Sequence, residues 1–547
     1  MILALLLALS STDALLSRFI ERYFSQYPTR ATQAGRADFD AQLEDLTPAR
    51  IDAWLAFLDK IDAQAAALKP ADRDERLDLD VVRRQVAAQR FELRTRAAPS
   101  RNPLFWTGIA SESVIYLLLR EDQPLELRVR ALEARARLIP RLCAQAQAAL
   151  ATSPAEQLAP ELVAPAAHQA RQLAQLYRSG LAKFAPQLAE AGEIAGAALS
   201  GLATFLEKLP ARGTPRLGKD YAEAFRLGLG ERETPEQMLP RFEQDLVELR
   251  KSAAAYGAQV FAQVVPGEAR PVDPKALLRR LFSAIEADRD TDVAEYTRRW
   301  QEAVPLLLQL VRERAVITLP DPLTLRISPA PGFLGGQAYG GVFAEGPFRP
   351  DGDTLLLLPV PSADATPAER AQFFAAFNRP FSKMIAAHEA LPGHYAQLKI
   401  AAHQPHQIRA LFPDDVYEEG WGTFSEELML DQGWGGPRER IAHLKKALEN
   451  CARAIVDIRV HAQGASRAEI AAFVRDEALQ DSQLGENLWQ RTLTSSPQIV
   501  TYHLGSRRFE ALYRAARRKQ GARFSLRAFT DSMMSLGPVP LREYGAR

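Results

Sequence analysis

The sequence predicts a mainly α-helical protein, large and two-lobed, with a small β-sheet beside the helices that carry its chemistry. Three observations lead there. From Ser11 to about Phe205, Ala and Leu recur at helical spacing among Arg and Glu, with few strand signals. Residues 316–360 break that habit with short Val, Ile and Leu runs between Gly and Pro. Beyond Pro437 the helical spacing returns, and no low-complexity linker, repeat or heptad run divides the 547 residues. The expected organisation is a single unit over 11–547, with a helical lobe at 11–315 and a second lobe at 316–547 holding the sheet and the functional helices.

Taken in order, Met1 to Ser10 opens with nine apolar residues, too few to span a bilayer. It reads as a short secretory signal with Ala8 and Ser10 at small-residue positions, or as the first turn of the next helix. The first reading implies a periplasmic or secreted protein; a cytoplasmic one is the alternative. Pro70, Pro103, Pro140, Pro160 and Pro186 should punctuate the following helices, and the arginines from Arg128 to Arg141 should line a solvated face. A loop at 210–215 precedes a helix from Pro235 to about Phe261, which Val265-Pro266-Gly267 ends. Short strands are expected at 316–319, 323–327 and 354–358. Their sheet could pair with an extended peptide or simply roof the core. Tyr339-Gly340-Gly341 lacks the spacing of a phosphate cradle.

Composition narrows the function. A net charge of +1 gives no basic field for nucleic acid, and no later segment is apolar enough to cross a membrane. The two cysteines, Cys143 and Cys451, form no disulfide framework. Two free buried thiols are expected, with one bridge between them as the alternative. Oligomeric state leaves no mark in the sequence.

The chemistry concentrates in His388-Glu389-Ala390-Leu391-Pro392-Gly393-His394 and Glu419-Gly420-Trp421. Two imidazoles, a carboxylate beside the first and another further on are the residue types of a hydrolytic zinc site. The spacing is unusual. In a straight helix, residues six apart point roughly 120° away from each other and lie about 9 Å apart along the axis. Both histidines reach one ion only if Pro392, which has no N–H to donate, and Gly393 kink or bulge the turn between them. Phe381, Met384 and Ile385 share a helical stripe with His388, which therefore faces inward.

Asp414-Asp415 should cap a second helix that runs through Val416 to about Asp431. Tyr417, Trp421, Phe424 and Leu428 form its apolar stripe, and Glu419, Thr423 and Glu426 share the opposite side. Gly420 and Gly422 each weaken a helix interior by about 1 kcal/mol, so another backbone or a ligand should approach there. Glu426 is a candidate to orient a metal ligand. Further on, Asp457 and His461 stand four apart and could meet as a pair on one helix face. Tyr502 or His503 could donate to a developing oxyanion.

These segments resemble the bacterial domain-of-unknown-function 885 family, a group assigned to the helical zinc-peptidase superfamily of thimet-like oligopeptidases and Taq-type carboxypeptidases. The resemblance rests on Tyr27-Pro28-Thr29-Arg30-Ala31-Thr32 with Gly35, His388 to His394, and Glu419 to Glu427. It continues through Asp457 to His461, Tyr502-His503-Leu504-Gly505, and Phe529 to Leu541. It implies a zincin-like helical fold with a small sheet, one Zn2+ per chain held by His388, His394 and Glu419, and Glu389 as general base for metal-activated water. Tyr502 matches the family tyrosine. Two departures stand out: extra residues lie between Glu389 and Gly393, and His503 and Thr530 occupy positions where many relatives have lysine and histidine.

The expected activity is zinc-dependent hydrolysis of peptide or peptide-like amide bonds. Hydrolysis of a small non-peptide amide or modified amino acid is one alternative, and an inactive helical binding protein with a vestigial site is another. Two imidazoles favour zinc over magnesium or calcium.

Overall fold

The computed structural model describes residues 11–121, 123–331, 340–344, 346–362 and 364–545. The apolar start and Tyr339 lie outside them. The protein is mainly helical, with one three-stranded sheet. Its chain forms two compact units. One comprises residues up to Pro215 with Glu345–Pro350 and Ala402–Phe412, and the other comprises the remaining residues through Arg547. The 210–215 loop thus ends the first stretch, whereas position 315 lies inside the second unit.

In the first unit, helices Pro103–Leu119, Leu125–Ala151, Pro160–Gln175 and Ala189–Lys208 pack on one another, and Ser11–Gln26, Pro48–Ala67 and Arg73–Arg90 form a second group. Pro103 and Pro160 occupy first-turn positions, where the missing N–H costs nothing. Pro140 does not punctuate; it sits inside Leu125–Ala151, whose packing along two neighbours outweighs one lost hydrogen bond.

The solvated-face expectation for Arg128 to Arg141 also needs correcting. Arg135 is fully buried and donates to the carbonyls of Gln42, Ser113 and Pro28 and to Thr32 Oγ1. Its five-donor guanidinium joins the start of helix Pro28–Gln33, the Gln42 carbonyl beyond it and the interior of helix Pro103–Leu119. The Tyr27 to Thr32 segment is tied down in the same place. Thr29 Oγ1 donates to Glu44 at 2.6 Å, and Thr32 Oγ1 to Asp40 at 2.6 Å.

In the second unit, helix Pro235–Val264 packs against Pro437–His461, and Arg379–Glu389 packs against both Asp415–Asp431 and Pro437–His461. The sheet has the order β1 (Leu325–Pro329), β3 (Thr354–Leu358), β2 (Gly341–Phe343), with β1 parallel and β2 antiparallel to β3. β3 is the central strand and all five of its residues are buried, which explains its unbroken Leu run. Residues 316–319 form no strand. Thr318 N–H and Oγ1 donate to Asp531, Val316 O accepts from Thr530, and Val316 N–H turns back to the Val311 carbonyl.

Cys143 and Cys451 are both free and buried. No helix among the described residues is long and apolar enough to cross a membrane.

Helices Asp415–Asp431 and Thr501–Gln520 cross at glycine. A Cβ on Gly420 would lie 2.5 Å from Gly505 Cα, and one on Gly505 would lie 2.1 Å from the Val416 carbonyl. Alanine at 505 should therefore destabilise the protein despite its better helix propensity, by on the order of 1–3 kcal/mol. A lower urea midpoint for Gly505→Ala than for the parent would show it.

Candidate metal centre

The first histidine comes from a capped helix. Phe381 N–H donates to Asn378 Oδ1 at 3.0 Å, Pro380 occupies the first turn, and the helix runs to Glu389. His388 lies on its inward face beside the fully buried Met384 and is itself 5% exposed. The helix then breaks over Ala390 to Gly393, and a new one, His394–Ala402, begins at the second histidine. Gly393 N–H reaches back to the Ala387 carbonyl at 3.0 Å. No side chain fits at that position, because a Cβ there would sit 1.9 Å from the His388 carbonyl oxygen. Trp421 Nε1 donates to the Pro392 carbonyl at 2.7 Å and ties the break to the Glu419 helix. This interruption brings the two imidazoles face to edge, 4.6 Å between centroids and at 90°.

Glu419 completes the cluster. Its Oε2 lies 3.6 Å from His388 Nε2 and 3.5 Å from His394 Nε2, and one ligand atom from each of the three residues falls within 4.8 Å of the others. Four ligands about 2.0–2.1 Å from a tetrahedral zinc stand roughly 3.3–3.4 Å apart, so the two histidine–glutamate distances are close to what such an ion needs. The helix carrying Glu419 is Asp415–Asp431, capped by Asp414 through Tyr417 N–H at 3.1 Å, with Gly433 just beyond it at φ +96°. Its two glycines have separate purposes. Gly420 admits the neighbouring helix, and Gly422 makes room for the His388 ring, since a Cβ there would lie 2.9 Å from Nε2.

Glu426 lies behind the cluster with its side chain fully buried. Its Oε1 is 2.9 Å from His388 Nδ1, and its Oε2 is 2.9 Å from His443 Nδ1. With Nδ1 turned to the carboxylate, His388 presents Nε2 to Glu419 and His394. Burial alone would raise the Glu426 pKa, but the two imidazoles hold it down at about 2. Burial opposes protonation of His388, yet Glu419, Glu426 and Glu389 together push its pKa up to about 10. A divalent cation there would displace protons from the same nitrogens, so its binding would depend on pH.

Glu389 is the last residue of the His388 helix, half-buried and outside the three-residue donor set. The ring of Tyr502 lies 6.4 Å from that of His388 and nearly parallel to it. Gln498 Nε2 donates to Glu419 Oε1 at 3.2 Å and to the Tyr502 hydroxyl at 3.3 Å. Burial and the charge of Glu419 raise the Tyr502 pKa, so its phenol keeps its proton.

Other residues picked out in the sequence lie elsewhere. His503, one step along the helix from Tyr502, faces away and bonds Asp245 Oδ2 at 2.9 Å. Thr530 is buried against the Val316 carbonyl. Asp457 and His461 do not form the expected pair. His461 Nδ1 accepts from Leu217 N–H at 3.1 Å and its Nε2 donates to the Thr492 carbonyl at 3.0 Å, which fixes a neutral ring. Asp457 Oδ2 instead accepts from Tyr221 and Ser496 at 2.8 and 3.0 Å, and Tyr221 stacks on His461 between them. His443, Gln498, Arg453 and Arg491 were not singled out in the sequence. Nothing in their local spacing distinguishes them: His443 meets Glu426 across 17 positions, Gln498 meets Glu419 across 79, and Arg491 meets Tyr502 across 11.

The fold and this cluster define a mainly helical protein with a His/His/Glu centre in which His388 is buried and His394 and Glu419 are half-buried. The chain belongs to the family described as "Bacterial protein of unknown function (DUF885)", which matches residues 28–544. No curated protein matches it. Two solved structures share the fold. A candidate lipoprotein of unknown function from Shewanella oneidensis aligns with TM-score 0.79 and 21% identity, over 98% of this chain and 99% of its own. A candidate lipoprotein from Colwellia psychrerythraea aligns with TM-score 0.78 and 16% identity, over 98% of both chains.

Asp457 supplies a pH test. Burial raises its pKa from 3.8 to about 7 against the pull of Tyr221 and Ser496. Because the folded value is the higher one, the neutral acid favours folding below 3.8, and that contribution is lost as pH rises through about 7. Asp457→Asn stays neutral throughout. The parent should lose stability relative to this variant across that window, on the order of a few kcal/mol, in paired urea melts at stepped pH.

Proposed function

We propose that the protein is a zinc-dependent hydrolase of peptide or peptide-like amide bonds. The observation that carries this reading is the placing of His388, His394 and Glu419 on one small volume, with Glu389 next to the first histidine yet outside the donor set. His388, His394 and Glu419 would hold one zinc, which when bound supplies a Lewis acid and lowers the pKa of water to around 7.

The remaining steps fall to side chains. Glu426 holds His388 in the tautomer that offers Nε2. Glu389 takes a proton from the attacking water and returns it to the leaving amine. The Tyr502 phenol donates a hydrogen bond to the oxyanion that develops on the attacked carbonyl. Intact Glu389 favours this over a vestigial site. The description of both structural neighbours as candidate lipoproteins supports an extracytoplasmic location, as does the apolar start.

Metal analysis of purified protein should find close to one zinc per chain, lost in His388→Ala and in Glu419→Ala. Retention of full zinc by both variants would end the ligand assignment. Glu389→Gln separates catalysis from binding. It should keep its zinc while kcat falls roughly 10²–10⁴-fold on any peptide the parent cleaves. Turnover within a few-fold of the parent would exclude Glu389 as the base.

A further inference from the structure

A cavity of about 250 Å3 in the second unit is lined by none of the residues of the candidate metal centre. Four helices enclose it. Asp288 follows helix Pro274–Ala287, and Arg299 and Trp300 lie on Val293–Glu313. Arg379 and Lys383 come from the first turns of Arg379–Glu389, and Glu439 comes from the first turn of Pro437–His461.

Five charged groups on this wall have hydrogen-bonding capacity that the fold does not use. Arg299 and Arg379 both donate through Nε and Nη2 to the fully buried Asp290 and to Glu295. Nη1 of each is left without a hydrogen bond among the described residues. Asp288 lies 3.7 Å from Arg379 Nη1 and 3.5 Å from Arg438 Nη1. Lys383 Nζ lies 4.0 Å from Glu439 Oε1, and only the other oxygen of Glu439 is engaged, by Gly436 N–H at 2.8 Å. Opposite charges held this far apart are attracted without being hydrogen-bonded, and a third group can bond to both.

We propose that this cavity binds one free α-amino acid with an apolar side chain. Nη1 of Arg299 and of Arg379, with Lys383, receives the carboxylate. Asp288 and Glu439 Oε1 receive the ammonium, and the side chain lies on Trp300 and Ala303. Both signs of charge on one wall select a zwitterion. A simple anion would meet Asp288 and Glu439, and a simple cation would meet the two guanidinium groups. Size selects a small molecule, since sites for larger ones run to about 300–1,000 Å3. Binding here is independent of the hydrolase reading above, because the metal centre contributes nothing to the wall.

Calorimetric titration of the full chain with L-leucine, N-acetyl-L-leucine, L-leucinamide and inorganic phosphate tests the site. L-leucine should bind with a Kd of about 0.1–1 mM. N-acetyl-L-leucine lacks the ammonium and L-leucinamide lacks the carboxylate, so each should bind at least about 10-fold more weakly. Two variants assign the charges. Asp288→Asn should weaken L-leucine by about 10-fold or more and leave N-acetyl-L-leucine unchanged. Lys383→Gln should weaken L-leucine and leave L-leucinamide unchanged. The Lys383 side chain is 42% exposed, so this variant decides the matter even if Asp288→Asn fails to fold. Absence of L-leucine binding up to about 10 mM would overturn the assignment and leave a cavity that holds water only. Equal affinity for the acid, acetyl and amide forms would overturn it, as would L-leucine affinity unchanged in Lys383→Gln. Phosphate bound as tightly as L-leucine would overturn it in favour of a simple anion site.

Discussion

A carboxylate buried without counter-charge is among the least favourable arrangements in a protein, and Glu426 escapes that cost through two imidazoles from two different helices. His388 approaches from Arg379–Glu389 and His443 from Pro437–His461, each at 2.9 Å, with Glu426 on Asp415–Asp431 between them. One side chain therefore ties three helices together and sets the direction in which His388 presents its other nitrogen. The cluster with His394 and Glu419 depends on that choice, because a ring rotated to bond elsewhere would not bring Nε2 to the shared point.

Around this centre, small residues decide how closely the elements approach. Gly422 leaves space for the His388 ring, Gly420 and Gly505 let two helices meet backbone to backbone, and Gly393 folds the chain back over the His388 carbonyl. Trp421 works in the opposite way: its bulk lies in the core and its single N–H holds the Pro392 carbonyl. The site is thus built by helices that are locally poor and globally well packed. Glycine in a helix is unfavourable by itself and is retained where contact with a neighbour more than offsets the loss.

On the outer side, Gln498 and Tyr502 extend the site away from Glu419, and the two arginines over the Tyr502 ring differ in a telling way. Arg453 is neutralised inside the fold and steadies the phenol. Arg491 bonds the Tyr502 hydroxyl and Gln498 Oε1 instead.

Much of this was legible in the sequence wherever the physics is local. Helical spacing marked the helices, Asp414 and Gly433 bounded the Glu419 helix, and Pro392-Gly393 announced that the two histidines are joined by a break. The paired glycines announced a close approach without saying of what. Tertiary structure decided the rest. Residues 316–319 have strand-like composition but give their polar groups to Asp531 and Thr530, and Arg135 follows a surface pattern yet is fully buried. Asp457 and His461 share a helix face but bond Tyr221, Ser496, Leu217 and Thr492 instead of each other. The place of His443 behind Glu426 had no local signal at all. Periodicity, capping and backbone freedom act within a few residues and can be read along a chain. Which buried polar group finds which partner depends on elements distant in sequence, and only the folded protein brings them together.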